Sequence, residues 1–272
     1  MSKNAWIPEG LDLERPNQAR IYDCMLGGYH NFEADRLAAK KVLEIMPDAR
    51  LGAHAARAFL RRVVNFLVKE KGVDQILDLG SGIPTVGNVH QVAQEANPAA
   101  RVVYVDIDPV AVAHSLAMLK DNPNAIAIQA DVRQPDTILN HPEVKGLLDF
   151  GRPMGVLFLL ILHVVVDDQD AYEAVYTVRD ALAPGSYIAI SHGTPDGAPP
   201  GVIKLMEELG ARSGNPARYR SWSEILRFFD GLELIEPGLV YFPLWHPEGP
   251  DDVFFDEPER TLGFGGVGYK VK

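Results

Sequence analysis

The spacing of apolar residues changes near residue 72 of the chain. Before that point apolar residues recur at helical intervals, which predicts helices from Pro16 to the Gly27-Gly28 pair, over Phe32–Met46 and over Leu51–Lys71. Glycine or proline follows each segment, as is common after helices. Residues 1–15 are polar, and we expect them to form a loosely docked arm.

After residue 72 short apolar segments alternate with amphipathic ones. This alternation predicts βαβ units and an open, mostly parallel sheet. The last two strands lack a crossover helix, so we expect one antiparallel strand at an edge. The predicted strands are Gln75–Leu79, Arg101–Asp106, Ala125–Gln129, Val156–Val164, Ser186–Ser191, Leu234–Pro243 and Gly263–Val271, and the predicted helices are Val86–Ala96, Val110–Asp121, Gln169–Leu182, Pro200–Ala211 and Ser221–Phe229.

The composition is that of an ordinary globular protein. The chain has 272 residues, of which 47% are hydrophobic and 23% charged, and these values exclude disorder, collagen and coiled coil. The longest apolar run, Val156–Val166, is far shorter than the ~20 residues of a membrane helix, and no signal peptide is visible. The single cysteine, Cys24, excludes an internal disulfide and favours a reducing, cytoplasmic location.

Charge narrows the range of partners. The net charge of −11 argues against binding to nucleic acid, which requires clustered lysine and arginine. Acidic residues of the segment Glu248–Glu259, Asp251 among them, predict a solvated face. The histidines lack the spacing of a metal site, so we expect no metal. A homodimer is an assembly that the sequence leaves open.

A glycine-rich turn follows the first strand. Gly80 and Gly82 allow a ligand to approach the backbone at the carboxyl end of the sheet. Thr85 stands where a dinucleotide-binding fingerprint has its third glycine, and no P-loop lysine is present. Asp78 would repel a pyrophosphate but suits an ammonium group. The turn therefore favours S-adenosylmethionine (SAM) over NAD, and a tight turn without any ligand is the alternative.

The second and third strands also end in acidic residues. Asp106 is placed to accept hydrogen bonds from ribose hydroxyls, whereas Asp108 is a candidate N-cap of the next helix. Asp131 is placed to accept from the adenine amine, with the Val132 N–H near a ring nitrogen. The predicted SAM site comprises Asp78, Gly80, Ser81, Gly82, Asp106, Ile107, Asp131 and Val132.

These motifs resemble those of class I SAM-dependent methyltransferases over residues 72–271. The segments Arg15–Asp23 and Leu26–Asp35 resemble the N-terminal signature of an actinobacterial family of methyltransferase-like proteins without an assigned substrate. The resemblance implies an α/β, Rossmann-like, doubly wound seven-stranded sheet, its last strand antiparallel, with an N-terminal helical cap. It divides the chain into an arm and cap (1–71) and a SAM-binding domain (72–272). The family's asparagine before Ala58 is absent, because Ala56-Arg57 stands there.

The N-terminal helices have two interpretations. They either cover one edge of the sheet or close the SAM pocket and shape the acceptor site. The polar and glycine-rich content around Tyr22, His30 and Asn31 favours the second, and these residues are predicted to face the acceptor. Arg20 or Arg57 is predicted to pair with the SAM carboxylate, which suits the arginine fork.

His163 is the candidate base. Its surroundings, Leu160–Asp168, are similar to the fourth-strand region of some small-molecule O-methyltransferases, and a histidine with a pKa near its usual 6.5 can accept a hydroxyl proton. A hydrogen-bonded structural histidine is the alternative, since methyl transfer also proceeds by proximity. His192 is a further candidate to face the acceptor. The cluster Tyr241, Phe242, Trp245 and His246 either lines an apolar acceptor pocket or packs an edge strand.

The sequence thus predicts an enzyme that moves the SAM methyl group to an oxygen or nitrogen of a small molecule and releases S-adenosylhomocysteine (SAH). A SAM- or SAH-binding regulator without chemistry is the alternative. An NAD-dependent oxidoreductase is disfavoured by Thr85 and Asp78.

Overall fold

A central β-sheet organises the protein. The computed structural model describes residues 12–84, 87–250 and 252–272. The strands are β1 (Gln75–Leu79), β2 (Arg101–Asp106), β3 (Ala125–Gln129), β4 (Gly155–Leu159), β5 (Tyr187–Gly193), β6 (Glu233–Leu234), β7 (Val240–Tyr241) and β8 (Gly263–Tyr269). The order is β3-β2-β1-β4-β5-β8-β6, and β7 also pairs with β8. The first five strands are parallel and β8 is antiparallel to β5, which confirms the predicted α/β fold.

Helices flank the sheet and precede it. The α-helices are α1 (Gln18–Met25), α2 (Glu33–Ile45), α3 (Ala49–Asn65), α4 (Val89–Ala96), α5 (Pro109–Leu119), α6 (Pro135–Leu139), α7 (Pro142–Leu147), α8 (Asp168–Ala181), α9 (Val202–Arg212) and α10 (Trp222–Leu226). A π-helical turn, Phe66–Glu70, continues α3, and short 3-10 turns lie at Leu162–Val164, Arg227–Phe229, Phe242–Leu244 and Pro258–Thr261. Each predicted helix is present, with bounds shifted by a few residues. The predicted start of α4 at Val86 lies outside the described residues.

The hydrophobic core lies on both faces of the sheet. Phe59, Val63 and Leu67 are fully buried and belong to the cluster that covers one face of β1, β2 and β4. Helix α3 is therefore part of the sheet's core. Ile21 and Met25 form a separate, smaller cluster with α2. Helices α1 and α2 therefore lie outside the main core, as does α9, which has no buried residue.

Two strand predictions differ from the structure. The segment Leu234–Pro243 forms two two-residue strands, β6 and β7, instead of one. Pro237 lies between them and cannot donate a ladder hydrogen bond, and Gly238 closes a turn onto the Ile235 carbonyl at 2.8 Å. The strand predicted to extend to Val164 ends at Leu159.

The chain leaves the sheet at Leu160. This residue has a φ of +50°, in the left-handed region. Its N–H donates to the carbonyl and hydroxyl oxygens of Ser191, both at 3.0 Å, at the end of β5. The apolar run continues past the strand because the turn is packed against the core. His163 consequently lies in a 3-10 turn and not at a strand end.

The acidic segment near the C-terminus is largely exposed, as predicted, since Glu248, Asp256, Glu257 and Glu259 are exposed, and it also forms ion pairs. Glu248 forms an ion pair of 2.5 Å with Arg61, and Asp252 lies 3.4 Å from Arg62. Both arginines lie on α3. Asp251 lies outside the described residues.

The aromatic cluster at the sheet edge supports packing more than pocket lining. Trp245 is fully buried and meets Phe59 and Phe66 edge-on, each at 5.5 Å between ring centroids. Within the described ranges, no helix is both long enough and apolar enough to cross a membrane.

Candidate active site

A cavity of about 930 Å³ opens at the carboxyl ends of β1 to β5, beneath α1 and α3. This volume lies near the top of the range for small-molecule sites, roughly 300–1,000 Å³. The predicted site residues that line it are Arg20, Tyr22, Arg57, Asp78, Gly80, Ser81, Gly82, Asp106, Ile107, Asp131, Val132 and His163. Side chains separated by up to 143 positions in the sequence therefore meet at one edge of the sheet.

The two glycines of the β1 turn have different roles. Both adopt a positive φ, +73° for Gly80 and +67° for Gly82. A Cβ on Gly80 would lie 2.2 Å from Ile161 Cγ1, so this glycine allows the turn to pack against the segment after β4. A Cβ on Gly82 would meet no described atom within 4 Å. Of the two, Gly82 is the position where open space reaches the backbone. Thr85 lies outside the described residues.

Asp78 is a buried carboxylate on the cavity wall. Its exposed fraction is 5%, and no described residue donates a hydrogen bond to its carboxylate. Burial raises the pKa of Asp78 to about 7, the charge of Arg57 lowers it and that of Asp106 raises it. A buried carboxylate without a donor is costly, so the site gains from a cationic ligand group. The SAM ammonium group fits this environment.

Asp106 holds the turn after β1 and can accept further hydrogen bonds. Its carboxylate accepts from the backbone N–H of Gly82 at 2.7 Å and of Asp108 at 2.8 Å. Burial raises the pKa of Asp106 to about 6, although these hydrogen bonds lower it. Each carboxylate oxygen has a further lone pair, so ribose hydroxyls fit here. Asp108 caps α5 through the Val110 N–H at 3.0 Å, as predicted.

The cavity wall beside Asp106 is apolar. Ile107 is 52% exposed and lies with Val132 along the lining.

Asp131 is held by Arg133, with the Nη2 to Oδ2 distance at 2.5 Å. Burial would raise the pKa of Asp131, but the hydrogen bonds and charge of Arg133 outweigh it and lower the pKa. Arg133 also lines the cavity and was missed in the sequence, although it lies two residues from Asp131.

The two candidate arginines differ in their surroundings. Arg20 is buried, with Nε 3.0 Å from Asp35, Nη1 3.5 Å from Asp108 and Nη2 donating to the Arg15 carbonyl at 2.8 Å. These contacts make Arg20 an anchor between the cap and α5. Arg57 donates to the Gly87 carbonyl at 3.1 Å and lowers the pKa of Asp78 by its charge. Arg57 is therefore the better candidate for the SAM carboxylate.

His163 lines the cavity in an environment that opposes protonation. Burial and the nearby charge of Arg220 lower the pKa of His163 to about 4. Its Nδ1 is enclosed and has no hydrogen-bond partner among the described residues. The expected pKa near 6.5 is therefore wrong. The imidazole is neutral at physiological pH but is a weak base.

Three predicted acceptor residues do not line the cavity, and their assignment is corrected. His192 is fully buried, and its Nε2 accepts from Arg220 Nη1 at 3.0 Å while its Nδ1 bonds the Gly193 carbonyl at 2.7 Å. Asn31, in the loop between α1 and α2, donates to Asp23 of α1 at 2.8 Å. The His30 ring lies 3.9 Å from that of His114 on α5. All three connect elements of the fold.

Tyr22 does line the cavity, and its hydroxyl donates to the Ala53 carbonyl on α3 at 3.2 Å. Burial raises the pKa of Tyr22 to about 12. The described ranges contain no cluster of ligands suited to a metal ion.

The arrangement can be compared with known proteins. A family model described as S-adenosyl methyltransferase matches residues 4–271. The crystal structure of a Thermobifida fusca YX protein, provisionally described as a methyltransferase, is 43% identical, has a TM-score of 0.91, and covers 98% of this chain and 100% of that one. A duf574 family protein from Streptomyces avermitilis MA-4680 is 37% identical with a TM-score of 0.90, over 95% of this chain and 99% of that one.

More distant structures share the fold alone. Human N-acetylserotonin methyltransferase in complex with SAM is 13% identical with a TM-score of 0.51, over 95% of this chain and 64% of that one. No curated protein matches the chain significantly. The family model spans almost the whole chain, and the motifs that it covers converge on one cavity. The chain therefore belongs to the S-adenosyl methyltransferase family and is a SAM-dependent methyltransferase.

Proposed function

We propose that this cavity holds SAM at the ends of β1 to β3 and a small-molecule acceptor beside it, and that the methyl group passes to an acceptor oxygen or nitrogen. The observation that carries the proposal is the buried Asp78 carboxylate, to which no described residue donates a hydrogen bond and which lines the same cavity as the open face of Gly82. The volume of about 930 Å³ supports room for a second ligand.

Each part of SAM has a candidate partner. Asp78 would bind the ammonium group and Arg57 the carboxylate. Asp106 would accept from the ribose hydroxyls. Asp131 would accept from the adenine amine while Ile107 and Val132 cover the ring. When bound, SAM supplies a sulfonium methyl group that is already activated, so the chain's main tasks are to position the acceptor and to exclude water.

Helices α1 and α2 are proposed to close this cavity, within the arm and cap of residues 1–71 that precede the SAM-binding domain 72–272. Tyr22 and Met25 belong to its lining. Arg20 bridges Asp35 of α2 and Asp108 of the sheet domain. These contacts support a cap that bears on the cofactor site and does more than cover a sheet edge.

Calorimetric titration with SAM, SAH and NAD tests the proposed function. We expect SAM and SAH to bind and NAD not to bind, because Asp78 repels a pyrophosphate. Binding of NAD without SAM or SAH would overturn the proposal. A methyl-release assay with candidate acceptors then distinguishes an enzyme on small molecules from a protein that only senses SAM.

Replacing Ile107 with alanine should weaken SAM binding without affecting folding. The side chain is half-exposed in the free protein, so its loss costs little packing, but it would be covered by bound adenine. We expect a loss of about 1–2 kcal/mol in binding, or about 5- to 30-fold in Kd. Calorimetry measures the affinity and thermal denaturation the stability.

Leu116→Ala is the matched control for Ile107→Ala. Leu116 is also 52% exposed, lies on α5 and does not line the cavity. We expect its Kd for SAM to match that of the wild type. Equal SAM affinity in the two variants would remove Ile107 from the cofactor site.

His163→Ala should slow the reaction only modestly. A general base typically contributes about 100- to 10,000-fold, and a histidine with a pKa near 4 is poorly suited to that role. We expect kcat to fall less than about tenfold, below the contribution of a general base, and the Kd for SAM to stay unchanged. A 100-fold fall in kcat at unchanged Kd, with loss of the acidic limb of the pH profile, would restore His163 as the base.

Three further points are proposals: the absence of nucleic-acid binding, the cellular location and the oligomeric state. The net charge of −11 supports a protein that does not bind nucleic acid. The single cysteine supports a reducing, cytoplasmic location. A homodimer stays a prediction, which light scattering on the purified protein tests.

A further inference from the structure

A part of the cavity remains beyond the residues assigned to SAM. We call it the acceptor chamber and define it by Tyr22, Leu60, His163, Met206, Tyr219 and Leu262, all of which line the cavity. These side chains come from α1, α3, the turn after β4, α9, the segment before α10 and the residue that precedes β8. They are aliphatic or aromatic, with two tyrosine hydroxyls and one imidazole as polar groups.

Most charged groups of the surrounding wall are paired with each other or are assigned to SAM, and Arg15 donates to the Gly214 carbonyl at 3.3 Å. Arg260 lies 3.0 Å from Asp48, and Arg133 pairs with Asp131 at 2.5 Å. Arg20 is paired with acidic residues as described above, and no lysine of the described ranges lines the cavity. None of the six chamber residues carries a charge at neutral pH, so a charged acceptor would lose hydration there without gaining a counter-charge beside it.

Two aromatic rings line one part of the chamber. The rings of Tyr219 and His163 are nearly parallel, with a 27° angle and 6.5 Å between centroids. Behind Tyr219, a Cβ on Gly193 would lie 3.0 Å from ring atoms Cδ1 and Cε1. The tyrosine ring therefore rests on the Gly193 backbone, and the absence of a side chain at Gly193 sets how far the ring reaches into the chamber.

The Tyr219 hydroxyl is available to a ligand. No described residue hydrogen-bonds it. Burial raises the pKa of Tyr219 to about 12, so the hydroxyl is protonated and both donates and accepts. A hydroxyl at the edge of an aromatic ring suits a planar ligand with a polar substituent.

We propose that the acceptor is a neutral, planar aromatic compound bearing a hydroxyl group, and that Tyr219 positions it while Gly193 sets the width of the chamber. This proposal rests on the proposed function, because the acceptor reacts only beside bound SAM. The acceptor oxygen forms a bond to the methyl carbon as the carbon–sulfur bond breaks. The electron pair stays on sulfur, which gives SAH, and the hydroxyl proton is released to water.

The test uses 2-naphthol and 2-naphthoate, which have the same ring system and differ in charge. Calorimetric titrations are made with the full chain saturated with SAH. We expect 2-naphthol to bind at least tenfold more tightly than 2-naphthoate. Gly193→Ala should reduce 2-naphthol affinity at least tenfold, because its methyl group displaces the Tyr219 ring. The SAH affinity of this variant should stay unchanged.

Tyr219→Phe provides a second variant that keeps the ring and removes only the hydroxyl. We expect a 3- to 10-fold loss of 2-naphthol affinity, as for a single neutral hydrogen bond. Tyr29→Phe is the control, because Tyr29 is 91% exposed and lies outside the cavity. Equal or tighter binding of 2-naphthoate, or unchanged 2-naphthol affinity in both Gly193→Ala and Tyr219→Phe, would overturn the inference. Failure to bind SAH would instead contradict the proposed function.

Discussion

Asp78→Asn is expected to stabilise the free protein at pH 8 while it weakens SAM binding. The folded protein raises the pKa of this carboxyl to about 7, whereas an unfolded aspartate has a pKa of about 3.9. The unfolded chain therefore loses this proton at lower pH than the folded chain does. The stability linked to Asp78 is fully present below about pH 4 and falls as pH rises to about 7.

The difference of roughly 3 pH units, at about 1.4 kcal/mol per unit, sets an upper limit of about 4 kcal/mol on this loss. Asparagine has nearly the same shape and no charge, so the variant should not show the loss. Urea denaturation at pH 4.5 and pH 8 measures the free energy of unfolding. Asp121→Asn, at an exposed loop position, is the control and should follow the wild type at both pH values.

SAM binding should change in the opposite direction. Truncating one partner of a buried charge pair costs about 2–5 kcal/mol, so Asp78→Asn should raise the Kd at least about 30-fold at pH 8. In the wild type, binding of the ammonium group should expel the Asp78 proton near pH 6.5. Titrations in buffers with different ionisation enthalpies detect that proton. Unchanged SAM affinity in the variant would show that Asp78 does not hold the ammonium group.

The sequence predicted the fold well where local pattern and tertiary structure agree. The alternation after residue 72 and the glycine turn identified β1 to β5 and the edge of the sheet that carries the cavity. It also placed Asp78, Asp106 and Asp131 at one edge, because parallel strands end together. The sequence alone therefore indicates that these residues lie close together, because each stands at the end of one of three successive parallel strands.

Other features depend on contacts that no local pattern encodes. Gly80 looked like a ligand-approach glycine, but the space at its Cβ is taken by Ile161, 81 positions later in the chain. His163 looked like a base in an apolar run, and Arg220, which lowers its pKa, follows 57 positions later. The acidic segment is largely exposed as predicted, but its ion pairs with Arg61 and Arg62 of α3 could not be read from the sequence. In each case the missing information was a distant neighbour.

Arg220→Ala is expected to destabilise the protein strongly. The Arg220 side chain is fully buried. Its guanidinium donates to the carbonyls of Leu162 at 2.9 Å and Val165 at 3.0 Å, and to Asp168 at 2.9 Å. It also donates to His192 at 3.0 Å. One side chain thus holds the turn after β4 to α8 and β5.

Removal of this guanidinium leaves the Leu162 and Val165 carbonyls and the His192 imidazole without this donor. At about 1–3 kcal/mol for each buried acceptor left unsatisfied, the loss is at least about 3 kcal/mol. We expect the free energy of unfolding to fall by about that amount in urea denaturation. Arg220→Lys should recover little of it, because an ammonium group lacks the planar fork that reaches several acceptors at once. The turn also carries Ile161, which packs on Gly80, so SAM affinity should fall as well.

Arg218→Ala is the matched control for this prediction. Arg218 lies two positions away and pairs with the same Asp168 at 3.7 Å and with Glu224 at 2.8 Å, but its side chain is 37% exposed. Exposed ion pairs contribute about 0–1 kcal/mol, so this variant should stay within that range of the wild type. If the two variants lost equal stability, burial of Arg220 would not be the cause. A large loss for Arg220 alone would show that a buried arginine, and not a catalytic residue, holds the cavity's β4 wall in place.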